Sequence, residues 1–119
     1  MKEEIRNWWE QAKKDLIAAK NSLNSDDYEW ACFQAQQSVE KALKALYIKE
    51  YGKLFKTHDL VFLARKLKDS EEIIENCSKI NPSYISTRYP DLAKEYTEKD
   101  AKEIINLSEE VLTWTEKNL

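Results

Sequence analysis

Apolar residues recur along most of this chain at intervals of three and four, the period of a helix that turns one face to a core. Ile5, Trp8, Ala12, Leu16, Ala19 and Leu23 draw the first stripe and predict a helix over 3–24, with Trp9 widening it. "NSDD" at 24–27 stops this helix and caps the next, because Asn, Ser and Asp side chains accept from the free amides of a helix start. The second helix is predicted from about 27 to 51. Its Tyr28, Cys32, Ala35, Val39, Ala42 and Leu46 are spaced 4-3-4-3-4, a narrow seam of mostly small residues that lets a neighbouring helix come close. Gly52 follows directly, where a left-handed C-cap would sit.

Away from that seam the second helix is less ordinary. Trp30, Phe33 and Gln37 lie on another face, with Glu40 and Tyr47 between. Two aromatics there predict cover on a second side. A further helix of the same chain would supply it, or a subunit interface anchored on Trp30 and Phe33.

The second half of the chain alternates short and long elements. Thr57 reads as the N-cap of a short third helix whose inner stripe is Leu60, Leu63, Ala64 and Leu67. "SEEIIENCSKI" reads as a short fourth helix, capped by Ser70 and ended by Asn81 and Pro82. Thr97 starts a long last helix, with Asp100 at the third helical position and Ala101, Ile104, Ile105, Ser108, Val111 and Leu112 inward. Between them "SYISTRYPD" (83–91) reads as irregular, since Pro90 disfavours helix at Tyr89 and cannot sit inside one. The predicted fold is all-α: an antiparallel up-and-down bundle of three long and two short helices, forming one domain over 1–119.

Composition narrows the function classes. With 34% charged and 42% hydrophobic residues the chain is globular rather than disordered. One glycine in 119 residues excludes a phosphate-cradling glycine loop. A net charge of −3 gives no bulk attraction for nucleic acid, so any such contact rests on a local patch. Cys32 and Cys77 make neither a disulfide framework nor a zinc cluster, and Cys32 falls on the apolar seam as a buried thiol. No run is long enough to span a membrane, and "MKEEIRNWWE" is too charged for a signal peptide, which predicts a cytoplasmic protein. No metal and no cofactor are expected.

Two residues stand out chemically. His58 is the sole histidine, which excludes a histidine-pair nuclease; it reads either as a general base or ribose contact, or as a packed residue in the first turn of a helix. Arg88 sits in the irregular stretch with Tyr84, Thr87 and Tyr89 around it. Its planar guanidinium suits a phosphate; the structural alternative is a pair with Asp91 or Glu95 that fixes the loop. Adjacent acidic pairs such as Asp26-Asp27, Glu71-Glu72 and Glu109-Glu110 diverge by about 100° on a helix and read as solvated ends or faces.

"DYEWACFQAQQSVEKALKALYIKEYG" (27–52), "THDLVFL" (57–63) and "YISTRYPD" (84–91), in this order and spacing, resemble the small prokaryotic HEPN-domain proteins, named for higher eukaryotes and prokaryotes nucleotide-binding. Ala12, Asp15, Leu16 and Ala19 fit as well, so the resemblance covers nearly the whole chain. It implies a helical bundle, commonly a homodimer, often encoded beside a minimal nucleotidyltransferase as a toxin–antitoxin pair. Some members are metal-independent endoribonucleases with an arginine followed, four to six residues later, by a histidine. Here Arg88 has no histidine after it, and His58 precedes it by thirty residues. The resemblance therefore implies a non-catalytic module binding a nucleotide or nucleic-acid phosphate through Arg88, Tyr89, Tyr84, His58 and Gln37. Two alternatives stay open: an endoribonuclease toxin using His58 and Arg88, and a dimeric adaptor without a ligand.

Overall fold

Three long helices carry the fold in a computed structural model that describes residues 1–90 and 95–119: α1 (Glu3–Asn24), α2 (Tyr28–Tyr51) and α6 (Glu98–Asn118). Two short helices, α3 (Leu60–Lys66) and α4 (Glu71–Ile80), join α2 to the last third of the chain. The result is the predicted all-α antiparallel bundle, with one addition. Residues Ser83–Ser86, read from the sequence as irregular, form a single helical turn, α5. Pro90 lies four residues beyond its end, so it does not oppose helix there; its nearest effect is on Tyr89.

The middle of the molecule is α2. It packs against every other described helix, and its buried residues run all round it from Ala31 to Ile48. The small seam does what its spacing predicts: Cys32, Ala35, Val39 and Ala42 are fully buried. Ala12 of α1 is fully buried as well, and its carbonyl accepts from Ser38 Oγ of α2 at 2.6 Å, a distance that demands close backbone approach. On α1 the inward tryptophan is Trp9; Trp8 is only partly buried, because Ile5 and Trp9 are four apart and share the face toward the core.

The helix ends follow local chemistry. Gly52 takes φ +73°, the left-handed cap, and its N–H donates to Ile48 O at 2.8 Å. Asp27 precedes α2 but its carboxylate makes no cap hydrogen bond. Ser70 caps α4 by accepting from Ile73 N. Thr97 and Asp100 form a reciprocal capping box on α6. The cap of α3 differs from the prediction: Asp59, not Thr57, accepts from Val61 N and Phe62 N. Thr57 Oγ1 instead accepts from Asp59 N, and Asp59 Oδ1 also takes Asn81 Nδ2 at 3.0 Å. A tie to the end of α4 thus decides which of two good capping residues starts the helix.

The α3–α4 turn, where Lys68 takes φ +57°, buries a polar group that has no partner among the described residues. Neither carboxylate oxygen of Asp69 meets a hydrogen-bond partner, and burial pushes this acid up to about 7. Burial first, and the charge of Asp69 second, push the nearby Cys77 thiol up to about 12, which keeps it protonated and unreactive at neutral pH. Among the described residues, no helix is long and apolar enough to cross a membrane.

Candidate functional site

Three stretches far apart in sequence meet on the side of α2 opposite its seam. α2 supplies Phe33, Gln36, Gln37 and Glu40; the residue just ahead of the α3 cap is His58; α5 supplies Tyr84; the turn after it supplies Arg88 and Tyr89. The geometry of α5 sets the last three. Ile85 N and Ser86 N donate to Pro82 O, and Thr87 Oγ1 closes the turn on Ser83 O at 2.6 Å. Tyr84 and Arg88 are then four residues apart along a helical path, the spacing that puts two side chains together.

The rings form a file. Trp30 stacks on Phe33 with centroids 5.0 Å apart, Phe33 on Tyr84 at 6.2 Å, and Tyr84 on His58 at 4.2 Å, all within 29° of parallel. Arg88 lies beside this file. Its Cζ is 4.9 Å from the Tyr84 centroid, 5.8 Å from Phe33 and 5.9 Å from Tyr89, and Nη1 donates to Tyr84 Oη at 2.6 Å. Among the described residues Arg88 makes no ion pair, Glu95 included; Asp91, the other expected partner, lies outside them. The guanidinium is therefore exposed and held by rings, with charge unspent on any described carboxylate.

His58 and Arg88 share Tyr84, so imidazole and guanidinium are no farther apart than those two ring distances laid end to end. The fold thus brings together His58, Tyr84, Arg88 and Tyr89, four residues singled out by their chemistry in the sequence. Gln37 joins only indirectly: its Nε2 donates to Gln36 Oε1 at 2.8 Å. Trp30 and Phe33, expected at a subunit interface, lie in the same ring file. Phe33 is covered from within the chain by Tyr84, while Trp30 is 48% exposed.

Beneath the rings lies a polar group that sequence reasoning passed over. Glu40 and Lys44, only 4% and 6% exposed, pair at 3.0 Å, and Glu40 Oε1 is 2.8 Å from His58 Nδ1. Fully buried Gln36 donates to His58 O at 3.2 Å. The signal was present in the sequence: Gln36, Glu40 and Lys44 recur every four residues, each directly preceded by an apolar residue, Ala35, Val39 or Leu43.

A cleft of about 420 Å³ opens beside this cluster, lined by His58 and Tyr84 together with Asp59, Ser78, Asn81 and Ile85. A larger one of about 600 Å³ lies elsewhere, against α4 and α6, but its wall carries Glu72, Glu109 and Glu110 against a single Lys117. Those carboxylates repel an anion; the smaller cleft carries one carboxylate, Asp59, and Arg88 does not line it.

The fold is that of a small helical-bundle module with one chemically dense surface. A family model for the HEPN domain matches residues 5–119, and the chain belongs to this family. It is similar to the protein named "Putative toxin MJ1304" of Methanocaldococcus jannaschii, 30% identical over 121 residues that cover 86% of this chain and 79% of that protein. It is also similar to human sacsin, 31% identical over 96 residues; these cover 75% of this chain but only 2% of sacsin, so the chain spans a small piece of that relative. Among solved structures, TT1696 from Thermus thermophilus superposes with a TM-score of 0.93 at 34% identity, covering 99% of this chain and 100% of that one.

Proposed function

We propose that this protein is a single-domain HEPN module, over 1–119, that binds a nucleotide or nucleic-acid phosphate through Arg88, Tyr84, Tyr89 and His58. The observation that carries this reading is the state of Arg88. Its guanidinium is fixed by Tyr84 Oη and three rings, yet no described carboxylate neutralises it. A preoriented guanidinium that no described carboxylate pairs, set beside stacked rings, suits a phosphate with an attached base. In this reading the module acts in the cytoplasm with a minimal nucleotidyltransferase subunit, as a toxin–antitoxin-like pair. Support for that setting comes from the family and from the 30% identity to a protein named as a toxin. Trp30, the exposed end of the ring file, is the proposed contact of a homodimer.

Calorimetric titration with nucleoside monophosphates tests the site. A charge-assisted hydrogen bond is worth about 1.5–3 kcal/mol. Arg88→Ala is therefore expected to weaken binding about ten- to a hundred-fold, and Arg88→Lys to recover only part, because lysine keeps the charge and loses the planar fork. Equal affinity in wild type and Arg88→Ala, with both proteins melting alike, overturns the assignment and moves the ligand-free adaptor to first place.

One observation favours a second reading. His58 and Arg88, thirty residues apart in sequence, both contact Tyr84, which offers a base and a phosphate-binding cation to one ligand although the family's arginine-to-histidine spacing is absent. Metal-independent RNA cleavage that disappears in both His58→Ala and Arg88→Ala selects this endoribonuclease reading; its absence in the wild type excludes it.

A further inference from the structure

The buried charges under the ring file have no obvious structural need. A Glu–Lys pair sealed in a helical core gains little over apolar residues of the same size, since desolvation offsets most of the attraction. Here both members sit on α2, beside buried Val39, Ala42, Leu43 and Ala45. The network reaches one exposed residue through its side chain, and that residue is His58, whose ring is 56% exposed.

The contacts are specific. Lys44 Nζ donates to Glu40 Oε2 at 3.0 Å and also rests over the Trp8 ring at 5.6 Å, which holds the ammonium in place. Glu40 Oε1 faces His58 Nδ1 at 2.8 Å. Gln36 Nε2 has two protons and two acceptors: His58 O at 3.2 Å and Glu40 Oε1 at 3.5 Å. Gln37 holds the Gln36 amide in that orientation by donating to its oxygen. His58 is thus gripped twice by one helix, at its backbone carbonyl and at its ring, while Tyr84 fixes the plane of the imidazole.

We propose that Glu40 is a positioning residue for the site, fixing His58 in the form that carries its proton on Nδ1 and leaves Nε2 as a bare acceptor. A carboxylate offers no proton, so a neutral imidazole against it must donate from Nδ1. Free histidine favours the other tautomer, and a partner on one ring nitrogen decides the state of the other. Lys44 supplies the countercharge that Glu40 needs in its buried place, and Gln36 sets the height of the loop. The cluster then presents a ligand with a cation at Arg88 and an acceptor at His58 Nε2: a hydroxyl beside a phosphate, as on a ribose, meets complementary partners at both groups. This inference rests on the proposed ligand site for its purpose, but its geometry is testable without any ligand.

His58 is the only histidine, so nitrogen-15 NMR of the imidazole reports a single spin system. At a pH where the ring is neutral, wild type is expected to show the Nδ1–H pattern. Glu40→Leu combined with Lys44→Met, which removes both buried charges together and leaves no acceptor for Nδ1–H, is expected to shift the pattern toward Nε2–H. A wild-type ring in the Nε2–H form, or a pattern that does not change in the double variant, overturns the proposal. If the double variant fails to fold, the wild-type pattern alone still decides. The binding arm separates this claim from the ligand reading. With nucleoside monophosphates, the double variant and His58→Ala are each expected to lower affinity several-fold, and their combination no further than His58→Ala alone. Additive losses contradict action through His58. A wild type that binds no nucleotide removes the ligand reading and leaves the tautomer result to judge the positioning.

Discussion

One side of α2 carries Cys32, Ala35, Val39 and Ala42, fully buried among residues of α1 and α6; another carries Phe33, Gln36, Glu40 and Lys44 beneath His58 and Tyr84. The first side fills volume. Its residues have no polar atoms to satisfy beyond a thiol, and its spacing alone explains its burial. The second side is just as sheltered at Gln36, Glu40 and Lys44, yet it is polar, and each of those groups has a partner. Burial that costs desolvation, with a partner for each group, marks a surface organised for orientation rather than for stability. The same helix thus separates the two tasks by face, and substitutions on the two faces should fail in different ways.

The sharpest break is expected on the seam side. Leu46 belongs to the seam and is only 2% exposed, so Leu46→Ala should cost about 2–5 kcal/mol in urea unfolding. Molecules that stay folded should keep their ligand affinity. An equal loss of affinity in the folded fraction would mean that the two faces are not separable.

Asp69 sharpens the contrast from a third place. Like Glu40 it is a buried carboxylate, but neither of its oxygens has a partner among the described residues. Its folded-state value lies at about 7 against 3.8 for an ordinary aspartate, so the folded chain binds the extra proton between those values. Folding stability from this group therefore falls as pH rises from about 4 to about 7 and is flat above. Relative to wild type, Asp69→Asn should lose this pH-dependent component, roughly 3 kcal/mol between pH 4.5 and 8. Parallel pH profiles for the two proteins would show that Asp69 is solvated. The smallest expected effect on stability is at the exposed end of the ring file. Trp30→Glu should change stability by about 0.5 kcal/mol or less while shifting a homodimer toward single-chain mass in light scattering. A wild type that already scatters as one chain removes the dimer.

Much of the fold was legible because helix periodicity, Gly52, Ser70 and the Thr97–Asp100 pair are local signals, each complete within a few residues. The start of α3 was not, because two neighbouring residues are good caps and the choice falls to Asn81, more than twenty positions away. The site shows the same division. His58, Tyr84, Tyr89 and Arg88 were identifiable one by one from their chemistry, but their meeting is tertiary, and so is the placing of Phe33 between Trp30 and Tyr84. Glu40 was hidden for another reason: on a helix rich in lysine and glutamate, a charge reads as solvent-facing until all faces of that helix are known to be covered.

The central claim is that the ring-flanked Arg88 is where a phosphate binds, and crystals soaked in a nucleoside monophosphate address it most directly. The account predicts phosphate density against the Arg88 guanidinium, with the attached ribose or base beside His58 and Tyr84. Density seated instead in the acidic cleft of α4 and α6, or an empty Arg88 at saturating nucleotide, would contradict it.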